Sequence, residues 1–267
     1  MNIRRIYAIF LRQLYLLRGN IPRFLQIFTW TTVDIILWGF LTKYLSQSGG
    51  SGLRFIPILL GAVLLWNFLG QVMQGISMSF MEDSWSRNFL NFFGSPLEIS
   101  EYITGFVLAG IARSALALIV MILFTTLAFG FSIFIYGSSL ALFLGILFLF
   151  GITLGIVAMC LLLRFGPSAE WLVWPIPAFI SPFVGVLYPL EILPHWMQTI
   201  GHFLPPSYVF EGARSIISGN GFSMPTLLFG MGLSFIYLFF AYQLFKRVYR
   251  KALRTGLIAR YSAETMT

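Results

Sequence analysis

Six runs of mostly apolar residues, each long enough to cross a bilayer, constrain this chain more than any motif in it: 24–45, 55–81, 103–131, 140–163, 171–188 and 224–246. A helix rises about 1.5 Å per residue, so roughly 20 apolar residues cover the hydrocarbon core. Only 10% of the 267 residues are charged, against about 25% in soluble domains. So few charges cannot coat a surface in water, and lipid is the solvent expected for most of the chain. The expected fold is an all-α integral membrane protein, a single domain over 1–267 with six transmembrane helices.

Charge orients these helices. Of the 17 Lys and Arg, only Lys43, Arg54 and Arg214 fall on the side opposite the N-terminus, and Arg113 falls within the third run. Basic excess marks the cytoplasmic side. Both termini, including the tail 247–267, are therefore expected in the cytoplasm of a multi-pass protein of the cytoplasmic membrane. Anionic headgroups account for the net charge of +8, and nucleic acid is not an expected partner. Within 1–20, Ile3, Ile6, Tyr7, Phe10, Leu14 and Leu17 share an arc of roughly 100°, with Arg4, Arg5 and Arg12 outside it. Such a helix lies along the interface. The stretch lacks the continuous apolar core of a cleaved signal.

Two connections stand out. Residues 183–217, between the fifth and sixth runs, are dense in proline, and too long and apolar for a simple external turn. They are expected to dip back into the bilayer as re-entrant helices. Pro175, Pro177 and Pro182 interrupt the fifth run itself, which a membrane tolerates where protein or water satisfies the freed carbonyls. On the cytoplasmic side, 82–102 (EDSWSRNFLNFFGSPLEISEY) mixes charge with aromatic residues and stops at Gly94-Ser95-Pro96. Helix is expected to about Phe93. A second helix is expected from Ser95 or Pro96, with Glu98 in its first turn. The short amphipathic piece suits a groove on a soluble partner.

Candidate chemistry is sparse. The chain has no GxxxxGK[ST] phosphate loop, no HExxH and no GxSxG, so it is not expected to be an enzyme. His195 and His202 have no obvious third metal ligand, and the one cysteine, Cys160, reads as a small buried apolar side chain. Asp34 and Arg113 are ionisable groups at membrane depth, hence functional candidates. At similar depth on spans of the same direction they are open to pairing, within one subunit or across a dimer, and also to separate hydroxyl, carbonyl or water partners. Gly151 and Gly155 match the small-xxx-small pattern of close helix contact.

These parts, taken in order, resemble the permease subunit of ABC-2 type ABC transporters. The resemblance rests on the amphipathic N-terminal helix, the loop ending in SPLEISEY, the proline-rich fifth span, and YPLEILPHW followed by LPPSYVFEGAR, and it covers essentially the whole chain. It implies a homodimer that carries separate nucleotide-binding ATPase subunits, with no cofactor in this chain and ATP and Mg on the partner. It implies an ATPase-coupling loop at Ser84, Trp85, Arg87, Asn88, Asn91 and Pro96. It also implies a re-entrant external segment carrying Pro189, Pro194, Pro205, Tyr208, Glu211 and Arg214, in which the three-residue spacing of Glu211 and Arg214 leaves an ion pair open. The implied function is ATP-driven export of an amphipathic molecule: a drug, a lipid or a lipid-linked glycan. Two other classes remain: an ion-coupled secondary transporter built on Asp34 and Arg113, and a non-transporting membrane scaffold.

Overall fold

The computed structural model describes residues 1–48, 55–86, 92 and 94–255. Among these, every regular element is helical. The chain runs through α1 (Ile3–Arg18), α2 (Ile21–Ser48), α3 (Phe55–Trp85), α4 (Ile99–Phe129) and α5 (Ser139–Phe165). The short helices α6 (Glu170–Val173), α7 (Ile176–Val184), α8 (His195–Phe203) and α9 (Pro205–Ile217) follow, and α10 (Met224–Arg254) is the last described helix.

Among the described residues, four helices are long and apolar enough to cross a membrane: Ile58–Trp85 within α3, then α4, α5 and α10. α2 covers the first expected span, 24–45, as one continuous helix. The fifth expected span, 171–188, is not one helix. Pro175 lacks an N–H and Pro177 follows it, so α6 stops and α7 starts afresh. α7 then ends at Gly185, whose φ of +64° is a left-handed turn that glycine adopts without strain.

α3 and α5 form the centre. Of their most apolar windows, 67% and 78% is buried, against 22% for α10. Glycine permits this closeness. A methyl group at Gly151 would stand 2.8 Å from Val72 Cβ, and one at Gly155 2.9 Å from Ile76 Cβ. The GITLG pair is thus a contact between two helices of the same chain. On an adjoining face of α3, a methyl at Gly75 would stand 3.2 Å from the Gly110 Cα of α4. Without a hydrophobic drive between helices in lipid, such backbone approach and polar ties set their packing. One tie is Gln71 of α3, whose Nε2 donates to the Ile27 carbonyl and to Thr31 Oγ1 of α2 at 3.0 and 2.8 Å.

Candidate functional site

Polar chemistry gathers at the two ends of α3. At the end that carries α1, the centre is Asp83, which is fully buried. Arg12 Nη2 donates to its Oδ1 at 2.5 Å, and the Tyr102 hydroxyl donates to its Oδ2 at 2.7 Å. The Arg12 guanidinium also lies 4.8 Å above the Phe92 ring. Two turns back along α1, Arg5 Nη1 donates to the Pro96 carbonyl and to Glu101 Oε2, the latter at 3.4 Å. Glu101 is buried and also accepts the backbone N–H groups of Asn2 and Glu98. α1 thereby clamps both ends of the loop that joins α3 to α4.

This changes the reading of α1. The buried residues are Ile6, Ile9 and Gln13, whereas Ile3 and Tyr7 of the expected apolar arc are exposed. The helix has two working faces, an apolar one turned outward and a mixed one docked on α4. A methyl at Gly105 would stand 2.6 Å from Ile9 Cβ, which shows how close the docking is. Arg5 and Arg12 lie on the docked face because Glu101 and Asp83 meet them there. Their seven-residue spacing, matched by carboxylates at both ends of the loop, was the available signal in the sequence.

Ser84 is buried and Trp85 is half exposed where α3 ends. Pro96 is exposed in a turn after Gly94, where Ser95 Oγ donates to the Phe92 carbonyl at 2.6 Å. Arg87, Asn88 and Asn91 lie outside the described residues, as do Arg54 and most of the tail after 247. α4 begins at Ile99 rather than at Ser95 or Pro96. Glu98 is its extended N-cap, so the carboxylate in the first turn is Glu101.

Asp34 and Arg113 are not brought together. Asp34 is exposed on α2 and turned toward Asn67 of α3. Arg113 is buried in α4, with its stem against Gly75. Eight residues of α3 separate those neighbours, roughly 12 Å along the helix. Among the described residues no ion pair joins Asp34 to Arg113.

At the opposite end, prolines punctuate a compact hairpin. Leu193 and Leu204 are extended, as residues before proline must often be, and Pro194 and Pro205 then open α8 and α9. Pro189 is extended ahead of the single turn Leu190–Ile192. Glu211 Oε1 accepts the Leu190 N–H at 2.9 Å and Arg214 Nη2 at 2.8 Å, and Arg214 Nη1 donates to the Val186 carbonyl at 3.4 Å. The Tyr208 hydroxyl donates to the His202 carbonyl at 2.6 Å. Tyr208, Glu211 and Arg214 therefore staple α9 back onto the segment that precedes it. Sequence reasoning missed Tyr136 here. It is a buried tyrosine in the turn Ile133–Tyr136, and a methyl at Gly61 of α3 would clash with its hydroxyl.

A family model described as ABC-2 type transporter matches residues 6–218. The matched range runs from the first turns of α1 to the end of α9, so it takes in both polar clusters apart from Asn2 and Arg5. No curated protein is similar enough to this chain to count as a match.

Proposed function

Because the chain belongs to the ABC-2 type transporter family, we propose that it is the membrane permease of an ATP-driven exporter, worked by separate ATPase subunits. It is a multi-pass membrane protein. In this reading α2 and the broken α6–α7 segment add two crossings to the four long apolar helices. The hairpin of α8 and α9 is re-entrant and lies outside, and both termini are cytoplasmic. The permease hydrolyses nothing, and ATP and Mg stay on the partner.

The observation that carries this reading is the clamp around Asp83. Trp85 and Pro96 leave the bundle at points fixed by Arg12 and Arg5. A push on the connecting loop is then passed at once to α1, α3 and α4, because packed elements shift between discrete arrangements. A second copy of the chain is supported by α2. Its outward face carries exposed Trp30, Leu37 and Phe40 around exposed Asp34. An aspartate at mid-span costs about 3 kcal/mol in lipid, and the Asn67 side chain of α3 is one donor to a carboxylate that can accept several. A homodimer with its pathway along this face gives that carboxylate protein or water instead. Aromatic and aliphatic side chains there suit an amphipathic cargo. An ion-coupled transporter centred on an Asp34–Arg113 pair is not favoured, since the two sit at different heights.

The test is to express the chain with its ATPase subunits, purify the complex into lipid nanodiscs and measure ATP hydrolysis. Co-purification is expected, with hydrolysis stimulated several-fold by an amphipathic cargo in the wild type and unstimulated in Trp85→Ala. No associated ATPase, or full stimulation in the variant, overturns the reading.

A further inference from the structure

At the hairpin end, a cavity of about 340 Å³ lies between α9 and the start of α10, and the clamp-and-pathway mechanism leaves it without a role. That volume is within the range of small-ligand sites. Its charge is already balanced. Glu211 is the only carboxylate in the lining, and its Oε1 is occupied by Arg214 and by the Leu190 N–H. An organic cation therefore meets a carboxylate that has its partner, and an anion meets a carboxylate.

The remaining polar groups are spaced through an apolar wall. Among the described residues, Glu211 Oε2, the Ser215 hydroxyl and the His202 imidazole take no hydrogen bond, and Thr226 Oγ1 donates only to the neighbouring Ser223 hydroxyl at 2.8 Å. Tyr208, Phe222 and Leu227 supply flat or aliphatic surface between them. An acyl chain in this space would leave the polar groups desolvated and unpaired, each at a cost of about 1–3 kcal/mol. A molecule that alternates hydroxyl groups with C–H faces pairs both kinds of wall, and an aromatic face attracts the positive C–H edge.

We propose that this cavity binds a neutral glycosyl unit about the size of one hexose. The unit is either the head of a lipid-linked sugar or a free saccharide. Binding follows from the cavity alone. Its role as an exit station for cargo rests on the transport reading above.

The experiment uses the full chain in phosphatidylcholine nanodiscs, with ligand-detected saturation-transfer NMR and empty nanodiscs as the blank. The probes are methyl β-D-glucopyranoside, octyl β-D-glucopyranoside and choline. Saturation of sugar-ring protons is expected, and choline is not expected to displace the glycoside. Saturation with methyl glucoside supports a free saccharide, and saturation with octyl glucoside alone supports a lipid-linked head. Ser215→Phe fills the space and is expected to abolish the signal. Thr226→Val, an exposed and nearly isosteric change, is expected to weaken it by roughly two- to tenfold. No ring-proton saturation by either sugar, a signal unchanged in both variants, or displacement by choline overturns the proposal. ATP hydrolysis by the complex separates the two readings. Sugar binding without cargo-coupled hydrolysis removes the transport reading alone, and coupled hydrolysis without sugar binding removes this one alone.

Discussion

Asp83 is fully buried and held by Arg12 at 2.5 Å and Tyr102 at 2.7 Å, whereas Glu211 is 40% exposed and held by Arg214 at 2.8 Å and a backbone N–H at 2.9 Å. Each carboxylate joins segments that the chain connects by loops. The partners of Asp83 come from 71 and 19 residues away, and the arginine of Glu211 from the next turn of its own helix. The first therefore fixes long-range architecture, while the second trims a local hairpin. Solvent widens the difference, because water screens the second and not the first. An end tied this way moves as one body, and a hairpin tied this way can rearrange by itself.

Removing the buried carboxylate is the hardest blow to that comparison. Asp83→Ala leaves Arg12 and Tyr102 without their acceptor, and a loss of about 3–5 kcal/mol is expected. It is read as lower thermal stability and lower yield in nanodiscs. A variant that melts with the wild type contradicts the clamp. Next comes Gly201→Ala in the hairpin. Its new methyl would stand 2.6 Å from the Phe183 carbonyl, and backbone cannot swing aside. A cost of about 1–3 kcal/mol is expected, confined to faster hydrogen exchange in α8 and α9. Faster exchange in α3 as well would join the two ends into one unit.

Smaller still is Glu211→Gln. The amide oxygen keeps the Leu190 bond and loses only a part-exposed ion pair, worth about 0.2–1 kcal/mol. An effect as large as that of Asp83→Ala would erase the contrast. The smallest change is Tyr136→Phe. Burial holds the Tyr136 hydroxyl protonated above its usual range, although Arg214 nearby pulls the other way. A raised folded pKa stabilises below the unfolded value, about 10 for tyrosine, and that contribution is lost as pH rises through the folded value. The hydroxyl has no partner among the described residues. Tyr136→Phe is therefore expected to be neutral or slightly stabilising at pH 7, and to melt less steeply with pH above about 10. Equal alkaline slopes in thermal unfolding contradict this.

Legibility in the sequence followed the range of the interaction. The length of the apolar runs marked α3, α4, α5 and α10, because a segment in lipid must satisfy its own backbone as helix. Local rules found the hairpin, since a proline dictates the residue before it and Glu211 reaches Arg214 within one turn. The GITLG contact was legible as a pattern, but its partner, α3, was not. The failures were at long range. Arg12 and Asp83 stand 71 residues apart, so α1 was read as lying along the interface and its docking on α4 was not foreseen. The fifth run has the composition of a span, yet Pro175 and Pro177 together stop its helix. Asp34 and Arg113 shared a depth in the topology and not in space, because tilt and register come from packing.

The direct measurement is site-specific cross-linking between the permease and its ATPase. Cys160 is the chain's one cysteine and is buried, so Cys160→Ala gives a clean background. Into it go Trp85→Cys at the clamp and Phe222→Cys at the hairpin end. A short bifunctional maleimide is expected to join the ATPase to position 85 and not to position 222. Cross-linking at 222, or at neither position in a complex that still hydrolyses ATP, contradicts a permease driven through the loop beside Asp83.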